Sequence, residues 1–504
     1  VASGRRPTHL IWVMPAEGEN MDTNIAYGLM LATLGFFGYV GYQAVTEKEI
    51  DSDAYLSARG TQSWLRIGLS LFASGMGIWI LFGPSEVGYW GGFWDVVGYA
   101  VSASTPFLLL AYVGPMIREK LPDGVTLADY VRMRIGRPMQ LYVGVISVAY
   151  MFTFLFAEFT AIGKAMYVLS DMEPIIPMLA VGIVTTAYTA YGGLPASLRT
   201  DRIQAWVVLW LIVALFLILF AGDLSSLISD AKAYNPEGDI DWSIGSMSYM
   251  DSFQSGLALV VAITAAEMFS QGNWQRAWAS ENEDALKKGS LLAATLVFPL
   301  VFIMGFLGTV AAAKGAAQDP SAAFFVLLED IHILVIAGFI ILGIALVCSS
   351  VDTLQNAVSA SITRDLADGK MQLQHARIAT IGMIPLAIYL ATGPTVFGFT
   401  FDALGVFEIF LFADLLAAAT VLPVLLTLWD RINSRASLVG AVFGLLSVVI
   451  YGAYTADLST GFGYIISPTN EFGLANLWVF LSALFGSGLV TIIASEILEA
   501  FETN

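Results

Sequence analysis

Four oxygen-bearing side chains lie within five consecutive residues of an otherwise apolar run. They are Ser349, Ser350, Asp352 and Thr353, in the segment that follows Cys348. On a helix, Ser349, Asp352 and Thr353 share one face, because residues three and four apart are neighbours. Hard cations such as sodium prefer oxygen ligands, whereas the alternative is that the hydroxyls bond to carbonyls of their own helix. The carboxylate beside the hydroxyls favours a cation site.

Acidic residues also occur within, or at the edges of, other apolar stretches. A charged side chain in the centre of a bilayer is costly, so each such acid is a functional candidate by default. A structural partner is the alternative, for example Lys164 for Glu158. The neighbours of Asp201 and Asp352 favour a functional role for those two. The further acids are Glu158, Asp201, Glu267, Glu408 and Asp414.

The apolar stretch 64–85 contains a segment at which a helix could break. Gly75 and Gly77 flank Met76, and a Gly-Pro pair follows at 83–84. A discontinuous membrane helix exposes backbone carbonyls that can bind a cation. Close packing of helices through small residues is the alternative explanation of the glycines.

These candidates must be positioned by membrane helices. The chain has 504 residues, of which 57% are hydrophobic and 13% charged, against roughly 25% charged in a soluble domain. Its apolar runs are continuous and reach the ~20 residues that span a bilayer as a helix. We therefore expect an all-α membrane protein.

The composition also excludes several classes of function. A net charge of −18 argues against a nucleic-acid partner. One cysteine and three histidines permit neither an intrachain disulfide nor a zinc or haem site. No catalytic nucleophile, base or metal cluster is evident, so an enzyme is not expected.

The sequence predicts about thirteen transmembrane segments. Most of the 23 basic residues, Arg276 among them, fall on one side if the segments alternate from an external N-terminus. The positive-inside rule therefore predicts a cytoplasmic C-terminus in the plasma (inner) membrane. The segments lie near 24–43, 64–85, 94–116, 139–169, 175–193, 203–222, 252–276, 288–313, 331–362, 375–392, 396–428, 437–455 and 475–498.

Two polar regions flank or interrupt these segments. Residues 1–23 form an N-terminal extension without a signal-peptide core, and we expect the native start at Met21. The loop near 223–251 is acidic, which is typical of a solvated loop and alternatively of a vestibule that attracts cations.

Four motifs occur in order along the chain. They are Thr126-Leu-Ala-Asp-Tyr130 with Arg134-Ile-Gly136, Ala190-Tyr-Gly-Gly-Leu194 with Thr200-Asp-Arg-Ile-Gln204, Asn273-Trp-Gln-Arg-Ala-Trp278, and Ser349-Ser-Val-Asp-Thr353 with Asp365-Leu366. Together they resemble the sodium/solute symporter family, which includes sodium/proline, sodium/pantothenate, sodium/glucose and urea transporters. The resemblance covers about 60–430.

The resemblance implies a fold. The family has a LeuT-like core of ten helices in two inverted five-helix repeats, here about 64–222 and 252–428. One extra helix and loop at 24–63 would precede the core, and further helices and a tail at 437–504 would follow. The helices at 64–85 and 252–276 would be the discontinuous first helices of the repeats.

The resemblance also implies a principal sodium site between the first and eighth core helices. Carried over to this sequence, its ligands are the carbonyls of Ala73, Met76 and Leu346 and the hydroxyls of Ser349 and Ser350. Sodium would be the co-transported ion rather than a resident cofactor.

Some members of the family share a second sodium site. The matching residues here are Asp201, Asp352 and Thr353, together with Ser349. A carboxylate stands at Asp352 where a hydroxyl is usual. It could strengthen the second site, or a proton could take the place of the ion.

For the solute, the resemblance implies a site lined by Gly75, Trp79, Ile80, Ala266, Glu267 and Phe269. Ile80 and Ala266 replace the amide and the aromatic gate of the sugar-transporting branch, so a hexose is not expected. Glu267 could hold an amine, a guanidine or urea, or could be a structural acid.

The sequence thus predicts a sodium-coupled symporter that imports a small organic solute, such as proline or a urea-like compound, by alternating access. Its partners would be the solute, sodium and the lipid bilayer. A proton-coupled symporter on the same fold, with Asp352 or Glu267 carrying the proton, is the main alternative. A transporter-like sensor and a channel are further alternatives.

Overall fold

The computed structural model describes most of the chain. The predicted extension, apart from its last three residues, and most of the acidic loop near 223–251 lie outside the described residues, as does the side chain of Glu408. The described ranges are 21–46, 52–220, 225–226, 229, 250–313, 320–328, 331–368, 372–396, 399–400, 406–429, 432–470 and 473–502.

The described residues are almost entirely helical, apart from one two-stranded antiparallel ribbon. The elements are α1 (Thr23–Thr46), α2 (Ser52–Ser57), α3 (Trp64–Gly75), α4 (Gly83–Lys120), α5 (Leu127–Arg134), α6 (Arg137–Ser170), α7 (Ile175–Phe220), α8 (Met250–Glu267), α9 (Gln271–Ala279), α10 (Glu283–Ala313), α11 (Ala323–Val326), α12 (Ile333–Ala360), α13 (Leu373–Ala391), β1 (Thr395–Val396), β2 (Phe399–Thr400), α14 (Val406–Leu425), α15 (Ser434–Thr455), α16 (Leu458–Ile466) and α17 (Leu477–Glu502).

Nine helices among the described residues are long and apolar enough to cross a membrane, and α8 with α9 makes a tenth if that bent pair is one span. Each of the thirteen predicted segments overlaps a described helix or half of one. Three segments account for the difference in number. Helix α7 contains two predicted segments, separated by a kink, and the segments near 64–85 and 375–392 correspond to α3, which has only 12 residues, and α13, neither of which is among the nine.

Glycines with positive φ produce kinks in α4 and in α7. An uninterrupted helix of 38 residues, the length of α4, would measure about 57 Å, nearly twice the hydrocarbon core. Gly92 (φ 73°, ψ −155°) interrupts α4 and Gly193 (φ 56°, ψ −148°) interrupts α7. These dihedral angles favour glycine. A Cβ at Gly193 would also lie 2.5 Å from Tyr55.

The two predicted discontinuities are present. Helix α3 ends at Gly75, two non-helical residues follow, and a 3-10 turn (Ile78–Leu81) leads into α4. Helices α8 and α9 are bent by 57° at their junction. The broken helix that begins with α3 and the pair α8–α9 occupy corresponding positions in the two predicted repeats.

The helices pack around a continuous apolar core. Helix α4 packs along α8 and α10, and α7 packs along α1 and α12, while α15 and α17 pack together beside α14. This arrangement brings the break after α3, the middle of α6, the α8–α9 junction, α12 and α14 around one interior region.

Candidate functional site

The break after α3 is joined directly to α6 and α12 by one carboxylate. Glu158 of α6 accepts hydrogen bonds from the backbone N–H of Ile78 (3.0 Å) and Trp79 (3.4 Å). Ser350 of α12 donates to the same carboxylate at 2.6 Å. The two amides lie at the start of the second half of the broken helix, where unpaired N–H groups favour an anion.

The broken helix opens onto an interior cavity. The cavity lies between the α3 break, α4, α6, α8–α9, α12 and α14. It is lined by Ser74, Gly75, Met76, Trp79, Tyr99, Ala103, Phe107, Tyr150, Phe154, Glu158, Leu259, Ile263, Glu267, Ser270, Asn273, Ser350, Thr353, Leu354, Phe410, Leu411 and Asp414.

Three carboxylates line this cavity. Glu267, which is partly buried, accepts hydrogen bonds from the Tyr150 hydroxyl and the Asn273 amide, each at 2.8 Å. Asp414 is 1% exposed, and its Oδ1 has no hydrogen-bond partner among the described residues. Glu158 is the third. No lysine, arginine or histidine occurs among the described lining residues.

Aromatic rings surround the carboxylates. The rings of Phe154 and Phe410 are stacked at 4.4 Å between centroids, and Tyr150 contacts Phe154 at 4.7 Å. Trp79 lies 5.9 Å from Tyr99 and 6.5 Å from Phe410. Aromatic faces attract cations within about 6 Å of a ring centroid. The cavity therefore combines negative charge with rings that suit an organic cation.

The residues predicted for the principal sodium site lie around the break. Met76 and Ser350 line the cavity, and Ala73, Leu346 and Ser349 are buried behind it. Of these residues, Ser350 contacts both the Leu346 carbonyl, at 3.2 Å, and the Glu158 carboxylate, whereas the Ser349 hydroxyl bonds to Asp201.

The residues predicted for a second sodium site form a fully buried network with Arg276. The Arg276 guanidinium donates to Asp201 (2.6 Å), Thr353 (2.7 Å) and Ser70 (2.8 Å). Arg276 and Asp201 are both 0% exposed. The positive-inside pattern predicts Arg276 in a cytoplasmic loop, whereas it lies buried in α9, bonded to residues of α3, α7 and α12.

Asp352 lies at the edge of this network. Tyr188 and Ser197 donate to its carboxylate at 2.7 Å, and Thr200 donates at 3.1 Å. Ser349 donates instead to Asp201 at 2.7 Å. The helix face predicted from the sequence is therefore polar and buried, and its oxygens are hydrogen-bonded to other helices.

The residues predicted for the solute site divide into two groups. Gly75, Trp79 and Glu267 line the cavity. Ile80, Ala266 and Phe269 are fully buried and lie outside the described lining.

Sequence reasoning named Asp414 as a candidate but did not place it in the solute site, and it missed Tyr99, Tyr150 and Phe154. An acid in an apolar span is the signal that marks Asp414. No signal marks the three aromatic residues, because such residues in membrane helices are common in cores and at interfaces.

Two of the sequence motifs meet at one end of the helix bundle. Thr126 caps α5 by accepting from the Asp129 N–H, and its hydroxyl donates to Asp365 at 2.6 Å. Arg59 donates to the carbonyls of Pro122 and Gly124, just before Thr126 in the chain, and to Asp53. The hydrogen bond from Arg59 lowers the pKa of Asp53.

Comparison with known proteins agrees with this architecture. The model of the sodium:solute symporter family matches residues 55–444. A spermidine transporter of Candida albicans is 28% identical over 96% of this chain and 90% of its own length. A sodium/proline symporter of Staphylococcus saprophyticus is 22% identical over 87% of this chain and 88% of its own.

Solved structures share the fold. The substrate-bound, outward-open state of a Na+-coupled sialic acid symporter has a TM-score of 0.72 at 14% identity, covering 94% of this chain and 98% of its own. MhsT in complex with L-phenylalanine has a TM-score of 0.55 at 16% identity, covering 86% of this chain and 98% of its own. The LeuT-like fold is thereby confirmed. The chain belongs to the sodium:solute symporter family and is a multi-pass membrane transporter of a solute, not an enzyme.

Proposed function

We propose that the protein is a sodium-coupled symporter for a small organic cation, an aliphatic amine or polyamine. The observation that carries this proposal is the cavity lined by Glu158, Glu267 and Asp414, with no basic side chain among its described lining residues. Of the solutes that the sequence left open, an amine fits these acids best.

Charge complementarity is the physical reason. A buried carboxylate without a counter-charge is costly, and a protonated amine supplies both the charge and several N–H donors. Asp414 Oδ1 has no hydrogen-bond partner among the described residues, so it is available to such a donor. Rings of Trp79 and Phe410 offer cation–π contacts to the same ligand.

The relatives support two parts of the proposal. The fungal relative is named as a spermidine transporter, and spermidine is an aliphatic polyamine. Other relatives are named as sodium/proline and sodium/myo-inositol transporters, which supports sodium as the coupling ion. Proline and urea-like solutes, expected from the sequence, are test compounds alongside the amines.

Sodium acts in this mechanism by favouring one conformation. Bound between Met76, Leu346 and Ser350, it would hold the broken helix against α12 and stabilise the state whose solute site faces outward. It shifts the equilibrium only by its difference in affinity for the two states. Release into a low-sodium cytoplasm would complete the cycle.

The proposal is tested by uptake into proteoliposomes. Labelled putrescine, spermidine, choline, proline and urea would be offered with an inward sodium gradient, an inward proton gradient, or neither. We expect sodium-driven accumulation of the amines and none in protein-free vesicles. Accumulation of proline or urea without the amines would contradict the solute class. Accumulation driven only by protons would contradict the coupling ion.

A further inference from the structure

We propose that Glu158 is a direct ligand of the coupling cation. In this chain a carboxylate would thus complete the carbonyl and hydroxyl site that the family resemblance implies at the helix break. The inference rests on the proposed sodium coupling and concerns which atoms hold the ion.

Glu158 occupies the break itself. Its Oε2 lies 2.6 Å from Ser350 Oγ, and two oxygens that close together can bind one cation side by side. A Cβ at Gly77 would lie 2.1 Å from Glu158 Oε1, so the carboxylate fills the space beside the backbone that follows Met76. Ser350 Oγ also lies 3.2 Å from the carbonyl oxygen of Leu346, so carbonyl, hydroxyl and carboxylate oxygens adjoin here, and these are ligand types of a hard cation.

The hydrogen bonds of Glu158 balance a negative charge on its carboxylate only in part. The side chain is 1% exposed, and its donors are the neutral groups of Ile78, Trp79 and Ser350. No ion pair to Glu158 occurs in the part of the chain that the structure describes. The two amides at the start of the helix stabilise part of that charge, and a cation bound at the break would balance the remainder.

With Glu158 as a ligand, the bound ion would join more elements of the fold. A site made of the α3 break and α12 alone would join two elements, whereas Glu158 adds α6. Binding of sodium would then fix three elements together and weaken when the carboxylate is neutralised.

The test is equilibrium binding of 22Na+ to the purified protein in nanodiscs, without any solute. The variants are Glu158→Gln, which keeps the shape and removes the charge, and Glu158→Asp, which keeps the charge and shortens the side chain. Glu86→Gln is the matched control, because Glu86 is a buried glutamate of α4 outside the described cavity lining.

We expect Glu158→Gln to raise the sodium Kd by at least about tenfold, since a unit charge within a few ångströms of an ion contributes at least that factor. Glu158→Asp should raise it by less, and Glu86→Gln by less than about twofold. A double variant with Ser350→Ala should be less impaired than the sum of the single effects, because both groups hold one ion.

An unchanged Kd in a monodisperse Glu158→Gln protein would overturn the inference, as would a parent protein that binds no 22Na+. If Glu158→Gln does not fold, Glu158→Asp serves as the test. A sodium Kd of Glu158→Asp equal to that of the parent protein would then overturn the inference. Binding is measured without solute, so failure of amine uptake would refute the proposed solute while leaving this result intact.

Discussion

At the scale of single residues, the acids in the cavity are the reason to expect a cationic solute. They differ in how many hydrogen bonds they receive from the protein. Glu267 receives hydrogen bonds from Tyr150 and Asn273, whereas Asp414 Oδ1 receives none from the described residues. We therefore expect Asp414 to make the largest contribution to binding a positively charged solute.

Asp414→Asn is predicted to raise the KM for amine uptake by at least about tenfold, because it replaces a charge-assisted contact by a neutral one. The measurement is the initial rate of uptake against amine concentration. Glu281→Gln, in the exposed segment before α10, is the control. A KM within about twofold of the parent's for Asp414→Asn would remove Asp414 from the solute site.

Tyr150→Phe is predicted to have a smaller effect than Glu267→Gln. Loss of the Tyr150 hydroxyl leaves one Glu267 oxygen without its donor, but the carboxylate keeps its charge and its bond to Asn273. A hydrogen bond to a charged group contributes about 1.5–3 kcal/mol. Amine KM values for the two variants, measured side by side, would contradict this order if Tyr150→Phe were the more impaired.

At the scale of elements, two buried sets of polar contacts join the broken helices to their neighbours. One is the Glu158 bridge at the α3 break. The other is the Arg276–Asp201 pair, which joins α9 to α7 and, through Ser70 and Thr353, to α3 and α12. Variants of the first are expected to affect mainly ion binding and uptake, and variants of the second mainly stability.

Gly77→Ala is predicted to abolish most uptake while leaving the protein folded. Its Cβ would meet the Glu158 carboxylate at 2.1 Å and displace it from the break. Gly382→Ala in α13 is the matched control, since a Cβ there meets nothing within 4 Å. Uptake by Gly77→Ala equal to that of Gly382→Ala would show that the contact at the break has no role.

Asp201→Asn is predicted to lower stability, because it leaves the Arg276 charge buried without its partner. Breaking a buried ion pair from one side costs about 3–5 kcal/mol. Thermal unfolding in detergent measures the loss. The double variant Asp201→Asn with Arg276→Gln removes both charges and should recover part of it; a double variant less stable than the single one would argue against the ion pair.

At the scale of the whole molecule, the sequence predicted the fold more fully than the site. The helices followed from apolar length, and the break after α3 followed from Gly75 and Gly77, whereas the discontinuity between α8 and α9 was expected only from the family resemblance. The acids stood out because charge is rare in membrane spans. The partners of those acids were not predictable, because the contact of Arg276 with Asp201 depends on how α9 packs against α7. The ring contacts of Tyr150 and Phe154 likewise depend on tertiary packing.

The most direct test of the central claim compares two solutes of the same length and different charge, putrescine and 1,4-butanediol. Each would compete with labelled spermidine for sodium-driven uptake into proteoliposomes. We predict that putrescine inhibits uptake at least about a hundredfold more strongly than the diol, and that Asp414→Asn reduces this ratio of inhibition constants. Equal inhibition by the diol and the diamine would contradict a cavity selected for organic cations.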